Sequence, residues 1–149
     1  MSRFLLHVHK ALKIGHILKS SKHGIISFHH GDNRWNRGQP AGFWEVVFKK
    51  KYSGFIIQFL SSKLDSGKVI FRGETVTKST YYKNQLNLYN YSNPFMSKII
   101  IDYAEKNYLP VHENIIYDDV PILKSPNFKI SINYFIYLCI YWVKNIFKL

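Results

Sequence analysis

The chain has 149 residues, enough for one domain with a hydrophobic core, and 46% of its residues are hydrophobic. Its 21 Lys and Arg outnumber its 9 Asp and Glu, and this excess favours anionic partners: nucleic acid, phosphorylated metabolites or an anionic membrane surface. The single cysteine, Cys139, excludes an internal disulfide and an all-cysteine metal site. The residues after Met1 lack the apolar run of a secretory signal, so we expect a cytoplasmic protein.

Short apolar runs predict four strands in the first half of the chain. They lie at residues 4–8, 25–28, 54–60 and 68–76. Helical patterns lie between and after them, at residues 12–18, from Pro40 to residue 48, and at residues 79–91 and 94–107. Because strands and helices alternate, we expect an α/β fold with a Rossmann-like, mostly parallel sheet.

The last third of the chain has a different character. Residues 109–129 contain three prolines and little periodicity, which predicts a linker after a domain of residues 1–108. Residues 130–149 predict an apolar, aromatic helical tail, shorter than the ~20 apolar residues that cross a membrane. Two interpretations stay open: the helix lies on an anionic membrane with its lysines toward phosphates, or it packs on the domain or on a partner subunit.

The most polar stretch follows the second predicted strand. Residues 27–40 contain two histidines, an aspartate, two arginines and two glycines. A strand that ends in such a loop is the usual position of a site in an α/β protein. The candidate residues of this loop are Ser27, His29, His30, Asp32, Arg34, Arg37 and Gly38.

A second polar loop, residues 61–67, follows the third predicted strand. Since parallel strands end at the same edge of a sheet, we expect Asp65 to lie near His29, with Gly67 permitting a tight turn. A carboxylate beside an imidazole raises the imidazole pKa and fixes its orientation, so the pair can move a proton or stabilise an oxyanion. The alternative is a turn-forming aspartate and a histidine that only packs.

Other chemistries compete for the first loop. His29, His30 and Asp32 are possible metal ligands, but adjacent strand residues point to opposite faces, so we expect no metal. Arg34 and Arg37, beside a tryptophan, suit a phosphate or a stacked base. Alternatively, Arg34 only pairs with Asp32.

Two motifs together resemble the catalytic half of the folate-dependent formyltransferases. The first runs from Gly24 through Ser27 and His29 to Arg37-Gly38, and the second is Leu64-Asp65-Ser66-Gly67. The family, which includes methionyl-tRNA formyltransferase and sugar N-formyltransferases, has Asn-x-His at a strand end, then Arg-Gly, then Leu-Asp-Thr/Ser-Gly. The resemblance covers residues 4–77, and the order and spacing of the motifs are more specific than either motif alone.

The resemblance implies transfer of a formyl group from 10-formyltetrahydrofolate to a primary amine. It assigns His29 to the oxyanion of the tetrahedral intermediate and Asp65 to tuning that histidine and moving the amine proton. Ser27 stands where the family has asparagine, whose amide is a fixed donor, whereas a hydroxyl is shorter and must rotate. The remaining candidates are assigned to substrate or cofactor binding: His30, Asp32, Arg34, Arg37, Gly38 and Gly67.

The preferred acceptor is an amino sugar on a nucleotide or lipid carrier, in surface-glycan biosynthesis. The family has several βα units before the strand that ends in the histidine motif, whereas 24 residues precede Ile25 in this sequence. We therefore expect a fragment truncated at the amino-terminal side. Its activity is then impaired, or a partner chain completes the sheet. The alternative is a non-catalytic basic protein at an anionic membrane, peripheral to its inner face. Nucleic-acid binding through Arg34, Trp35, Arg37 and residues 49–51 is a weaker alternative.

Overall fold

A computed structural model describes residues 5–7, 24–60, 68–110, 113 and 119–147. The strands are β1 (Leu5–His7), β2 (Ile25–His29), β3 (Tyr52–Phe59) and β4 (Lys68–Val76), and the helices are α1 (Phe43–Val47), α2 (Tyr81–Lys106) and α3 (Phe128–Ile146). The predicted strands and their order are confirmed. The short helix expected at residues 12–18 lies outside the described residues.

The strands form a mixed sheet in the order β1-β2-β3-β4. β1 pairs with β2 in parallel, but β2 with β3 and β3 with β4 are antiparallel. The α/β class is therefore confirmed, and a mostly parallel Rossmann-like sheet is not. For β3 and β4 the physical reason is connection length: the eight residues 60–67 join them, and a parallel pair needs a crossover of a dozen or more.

Helix α2 covers one face of the sheet. Ile26, Ile57 and Ile70 pack there against Met96 and Ile99 of the helix. The prediction of two helices divided near Pro94 is wrong, because α2 continues through that proline. The buried helix positions lie on both sides of it along one stripe, so packing on the sheet holds the two halves in line. That stripe consists of Asn84, Leu88, Ser92, Met96 and Ile99.

Helix α3 begins where Asn127 accepts a hydrogen bond from the Ile130 amide at 3.0 Å. The tyrosine row of this helix, Tyr134, Tyr137 and Tyr141, contacts the rest of the domain. Tyr134 packs edge-on against Phe43 and its hydroxyl accepts from the Tyr81 amide at 2.7 Å. The helical tail is confirmed and starts at Phe128, two residues before the predicted boundary. The division into residues 1–108, 109–129 and 130–149 stays a prediction.

Candidate active site

One face of the sheet carries several polar side chains, most of them buried, beside the apolar Ile56. Directly opposed residues of an antiparallel pair share a face, as do alternate residues of one strand. Gln58 is opposite Ser27, and His29 and Arg72 are both opposite Ile56. These side chains therefore lie on the face that α2 does not cover. We call Ser27, His29, Gln58 and Arg72 the polar face.

Three members of the polar face are nearly excluded from solvent. The exposed fractions of Ser27, His29 and Gln58 are 5%, 5% and 2%. The Ser27 hydroxyl donates to the Phe28 carbonyl at 3.1 Å, and His29 Nε2 lies 3.4 Å from the Asn36 carbonyl oxygen. Both contacts are long, so a ligand with a better-placed oxygen can compete for these donors.

The loop after β2 folds back against the same face. Asp32 lies over Gly54 of β3, where an added Cβ would come within 2.8 Å of the Asp32 Cβ. Gly31 gives His29 its room, because a Cβ at that position would lie 2.8 Å from the imidazole Nε2. The two positions explain why the fold needs small residues around this loop.

Asp32 is held between two arginines. Its carboxylate accepts hydrogen bonds from Arg34 Nε at 2.8 and 2.9 Å and from Arg72 Nη1 at 2.7 Å. Arg72 also donates two hydrogen bonds to the Glu113 carboxylate. Burial raises the pKa of Asp32, but the hydrogen bonds from Arg34 and the charges of Arg72 and Arg34 outweigh it, so the pKa is lowered. Asp32 is therefore an ionised anchor of the loop. The structure shows the pairing of Arg34 with Asp32 that the sequence offered as the alternative to phosphate or base binding.

The two adjacent histidines separate across the sheet. His30 turns toward α2, where its Nε2 is 3.0 Å from the Ser92 hydroxyl and its ring stacks on Phe28 and meets Tyr89 edge-on. His29 lies on the polar face. The pattern of adjacent strand residues thus separates the roles: His30 joins loop to helix, whereas His29 faces the candidate site.

Arg37 and Gly38 contact a distant segment of the chain. Arg37 Nε donates to the Val120 carbonyl at 2.9 Å, and a Cβ on Gly38 would overlap the backbone of Leu123. The Gln39 amide also donates to the Leu123 carbonyl at 2.9 Å. The arginine-glycine motif therefore fixes residues 120–123 beside the loop, and its predicted role in ligand binding stays a prediction.

Asp65 and Gly67 lie outside the described residues. The argument that placed Asp65 beside His29 is wrong, because it assumed that β2 and β3 are parallel. The two strands are antiparallel, so β3 ends where the Leu60 amide bonds to the Ile25 carbonyl, at the opposite end of β2 from His29. Four residues of strand separate those ends by about 13 Å, and the five residues from Leu60 to Asp65 span at most about 17 Å. The pairing of His29 with Asp65 is within reach of the chain and stays a prediction.

Among the buried polar residues that sequence reasoning missed are Gln58 and Glu45. Gln58 is the one polar side chain in the run of residues 55–60, a break in an apolar strand that signals a site on one face. Glu45, in α1, has no exposed surface, and neither carboxylate oxygen has a hydrogen-bond partner within the described part of the chain. A charged residue in an amphipathic helix is expected at the surface, so the sequence carries no comparable signal for Glu45.

Burial raises the pKa of Glu45 to about 7, and the charge of Asp32 adds to the rise. Between pH 4.5 and 7 the folded chain then binds more protons at this residue than the unfolded chain does. The free energy of unfolding should therefore fall by about 3 kcal/mol as pH rises through this window, and stay lower above it. Glu45→Gln should remove that slope, which urea unfolding of both proteins from pH 4.5 to 8 would measure.

The matched comparison is Glu105→Gln, because Glu105 is an exposed glutamate of α2. This variant should retain the slope of the unmodified chain, and histidine titration is common to all three proteins. If the unfolding free energies of Glu45→Gln and the unmodified chain differed by the same amount at every pH from 4.5 to 8, the proposed protonation of Glu45 would be contradicted.

Within the part of the chain that the structure describes, no cluster of three His, Cys, Asp or Glu side chains has the geometry of a metal site. Among the described helices, none has both the length and the apolar character that crossing a bilayer requires.

Solved structures share this fold. At 15% identity and a TM-score of 0.60, the chain is similar to methionyl-tRNA formyltransferase from Clostridium thermocellum, over 84% of this chain and 52% of that one. At 15% identity and a TM-score of 0.63, it is similar to WlaRD, a sugar 3N-formyl transferase determined with dTDP and 5-N-formyl-THF, over 82% and 43%. An N-formyltransferase from Helicobacter canadensis, in complex with folinic acid and dTDP-3-aminofucose, matches at 14% identity and a TM-score of 0.57, over 70% and 39%.

The resemblance to the formyltransferases is thus confirmed for the fold. The chain spans about half, or less, of the length of these structures. A scan against protein-family models finds no match, and a search of curated protein sequences finds none either.

Proposed function

We propose that this chain transfers a formyl group from 10-formyltetrahydrofolate to the primary amine of a nucleotide-linked amino sugar, in glycan biosynthesis. The observation that carries the proposal is the buried polar face, where Ser27, His29 and Gln58 lie side by side in a formyltransferase-like fold. The choice of acceptor is supported by the sugar N-formyltransferases of the same fold, two of which were determined with dTDP or a dTDP-amino sugar.

The chemistry needs a donor for negative charge on the formyl oxygen. The folate supplies an activated formyl group on nitrogen; the amine nitrogen bonds to the formyl carbon, and the bond from that carbon to the folate nitrogen breaks. One proton leaves the amine and one arrives on the folate nitrogen. His29, on the buried polar face, donates to the oxygen while it carries charge, and low exposure strengthens that hydrogen bond.

The other assignments rest on the resemblance. We propose that Asp65 moves the amine proton and that Gly67 shapes its loop. Asp32, tied to both Arg34 and Arg72, fixes the loop that follows His29. His30, Arg37 and Gly38 brace the same loop against α2 and residues 120–123, which lets them affect substrate binding through its position.

The test is a formyl-transfer assay on the full chain. We expect mass spectrometry to find formylated product from 10-formyltetrahydrofolate with dTDP-3-aminofucose, and little or none with initiator methionyl-tRNA. Calorimetry with 5-formyltetrahydrofolate measures folate binding separately. Absence of both transfer and folate binding would overturn the proposal.

One observation favours a second function, attachment to an anionic membrane surface. Apart from its tyrosine row, α3 presents large apolar side chains to solvent, and from residue 120 to residue 149 the sequence has four lysines and no acidic residue. Helices of this kind lie in the headgroup region of anionic bilayers. The exposed set includes Phe128, Phe135, Ile136, Trp142 and Val143.

Vesicle sedimentation tests this second function. The double variant Phe135→Ser with Val143→Ser should bind vesicles rich in phosphatidylglycerol about tenfold more weakly or worse, because it removes two apolar side chains from the exposed face that would enter the bilayer. Ile100→Ser with Ile101→Ser, on the exposed side of α2, is the matched control and should bind normally. Equal binding of all three proteins, or none, would remove the membrane function. The nucleic-acid interpretation and a partner chain that completes the sheet stay predictions.

A further inference from the structure

We propose that the side-chain amide of Gln58 donates a hydrogen bond to the formyl oxygen, as a second catalytic donor beside His29. The inference rests on the formyl transfer proposed above and deepens it. Ser27 stands where the family has asparagine and therefore has no side-chain amide. In this proposal Gln58 supplies that amide instead.

The first argument is position. Gln58 is the direct cross-strand partner of Ser27 in the β2–β3 ladder. Directly opposed side chains have Cβ atoms about 4.5–5.5 Å apart, which is within the reach of a glutamine side chain. An amide carried on Gln58 can therefore occupy space above Ser27 that a shorter hydroxyl leaves empty.

The second argument is the missing partner. Gln58 is 2% exposed, and its Oε1 has no hydrogen-bond partner within the described residues. A buried polar group without a partner costs free energy, and such exceptions occur where a ligand completes the bonding. A half turn of the amide exchanges Oε1 and Nε2, so the same site can present its two N–H donors to a carbonyl oxygen.

The third argument is the backbone across from Gln58. The β3–β4 register shifts between Ile57 and Gln58, so that Ile70 is an extra residue in β4. Bulges of this kind redirect side chains and are frequent beside active sites. The irregularity lies at the one position in the strand run of residues 55–60 that is polar.

In the reaction the amide forms no covalent bond. It donates while the amine nitrogen bonds to the formyl carbon and negative charge grows on the oxygen. It releases that oxygen when the bond to the folate nitrogen breaks and the carbonyl re-forms, so its contribution is to the transition state.

The test is Gln58→Met, which keeps the length of the side chain and removes the donors. We expect kcat to fall about 100-fold, the KM for the folate donor to stay within about threefold, and the melting temperature to stay unchanged or rise. Loss of activity with gain of stability is the signature of a functional donor. A purely structural glutamine would lower the melting temperature and leave kcat unchanged.

Two further variants sharpen the result. Gln85→Met is the matched control, since that half-buried glutamine lies on α2, where its Nε2 donates to the Tyr81 hydroxyl, and its kcat should stay within about twofold. Adding Ser27→Asn to Gln58→Met should raise kcat at least tenfold above that of Gln58→Met alone, because it returns an amide donor to the neighbouring position. Gln58→Met with unchanged kcat, or no rescue by Ser27→Asn, would overturn the proposal.

A binding readout separates this inference from the proposed function. The Gln58 side-chain NH2 signals, assigned by their loss in Gln58→Met, should shift in nitrogen-15 NMR spectra when 5-formyltetrahydrofolate is added. Binding without that shift would overturn the role of Gln58 and leave formyl transfer standing. A chain that neither binds 5-formyltetrahydrofolate nor transfers a formyl group would overturn both.

Discussion

His29→Ala is expected to lower kcat for formyl transfer about 10³-fold while the chain stays folded. The imidazole is 5% exposed on the polar face, and its Nε2 lies 3.4 Å from the Asn36 carbonyl oxygen. Removing one oxyanion donor costs about 10²–10³ in kcat, and removing a positioned acid–base group costs about 10²–10⁴. Steady-state kinetics with 10-formyltetrahydrofolate and dTDP-3-aminofucose measure the effect.

The adjacent histidine gives the matched comparison. His30 contacts Ser92 and Tyr89 of α2, so His30→Ala should lower the free energy of unfolding by about 1–3 kcal/mol and affect kcat much less. The two variants differ by one position in the sequence but fall on opposite faces of the sheet. Equal losses of kcat in both would contradict the assignment of His29 to the reacting oxygen.

Local sequence patterns predicted the strands and the site loop because they depend on neighbouring residues. Apolar runs located β2, β3 and β4, and the density of polar groups after Phe28 located the loop. Alternation along a strand also predicted that His29 and His30 would point to opposite faces, and their contacts agree with it. These properties follow from local backbone geometry.

Strand direction and polar burial could not be predicted in the same way. A buried strand has the same apolar composition whether its neighbour is parallel or antiparallel, and only the short connection of residues 60–67 indicates the antiparallel choice. Glu45 has a surface residue's chemistry but no exposed area, and Gln58 acquires meaning only when the register places it opposite Ser27. Both facts depend on contacts between distant parts of the chain.

The same limit applies to the ion-pair network, because its members are far apart in the sequence. Asp32, Arg72 and Glu113 join the site loop, β4 and the segment after α2. Sequence reasoning paired Asp32 with Arg34 alone, since Arg34 is two residues away. The structure shows that Asp32 also bonds to Arg72, the less exposed of the two arginines.

Arg72→Met is expected to lower the free energy of unfolding by about 3–5 kcal/mol, because it leaves two partly buried carboxylates without their shared cation. The exposed fractions of the Arg72 and Asp32 side chains are 16% and 13%. Arg34→Met removes a 48% exposed partner of the same carboxylate and should cost less than about 1 kcal/mol. Urea unfolding at pH 7 measures both variants.

A titration separates this electrostatic effect from lost packing. The lowered pKa of Asp32 contributes stability above pH 3.8, and that contribution disappears as pH falls through the lower folded value. Without Arg72, burial acts with less opposition, so the pKa of Asp32 should rise in carboxyl-carbon NMR titration, and the difference in stability between the two proteins should shrink in acid. An unchanged Asp32 pKa, with equal unfolding free energies for Arg72→Met and Arg34→Met, would mean that Arg72 does not hold the loop and that Arg34 suffices.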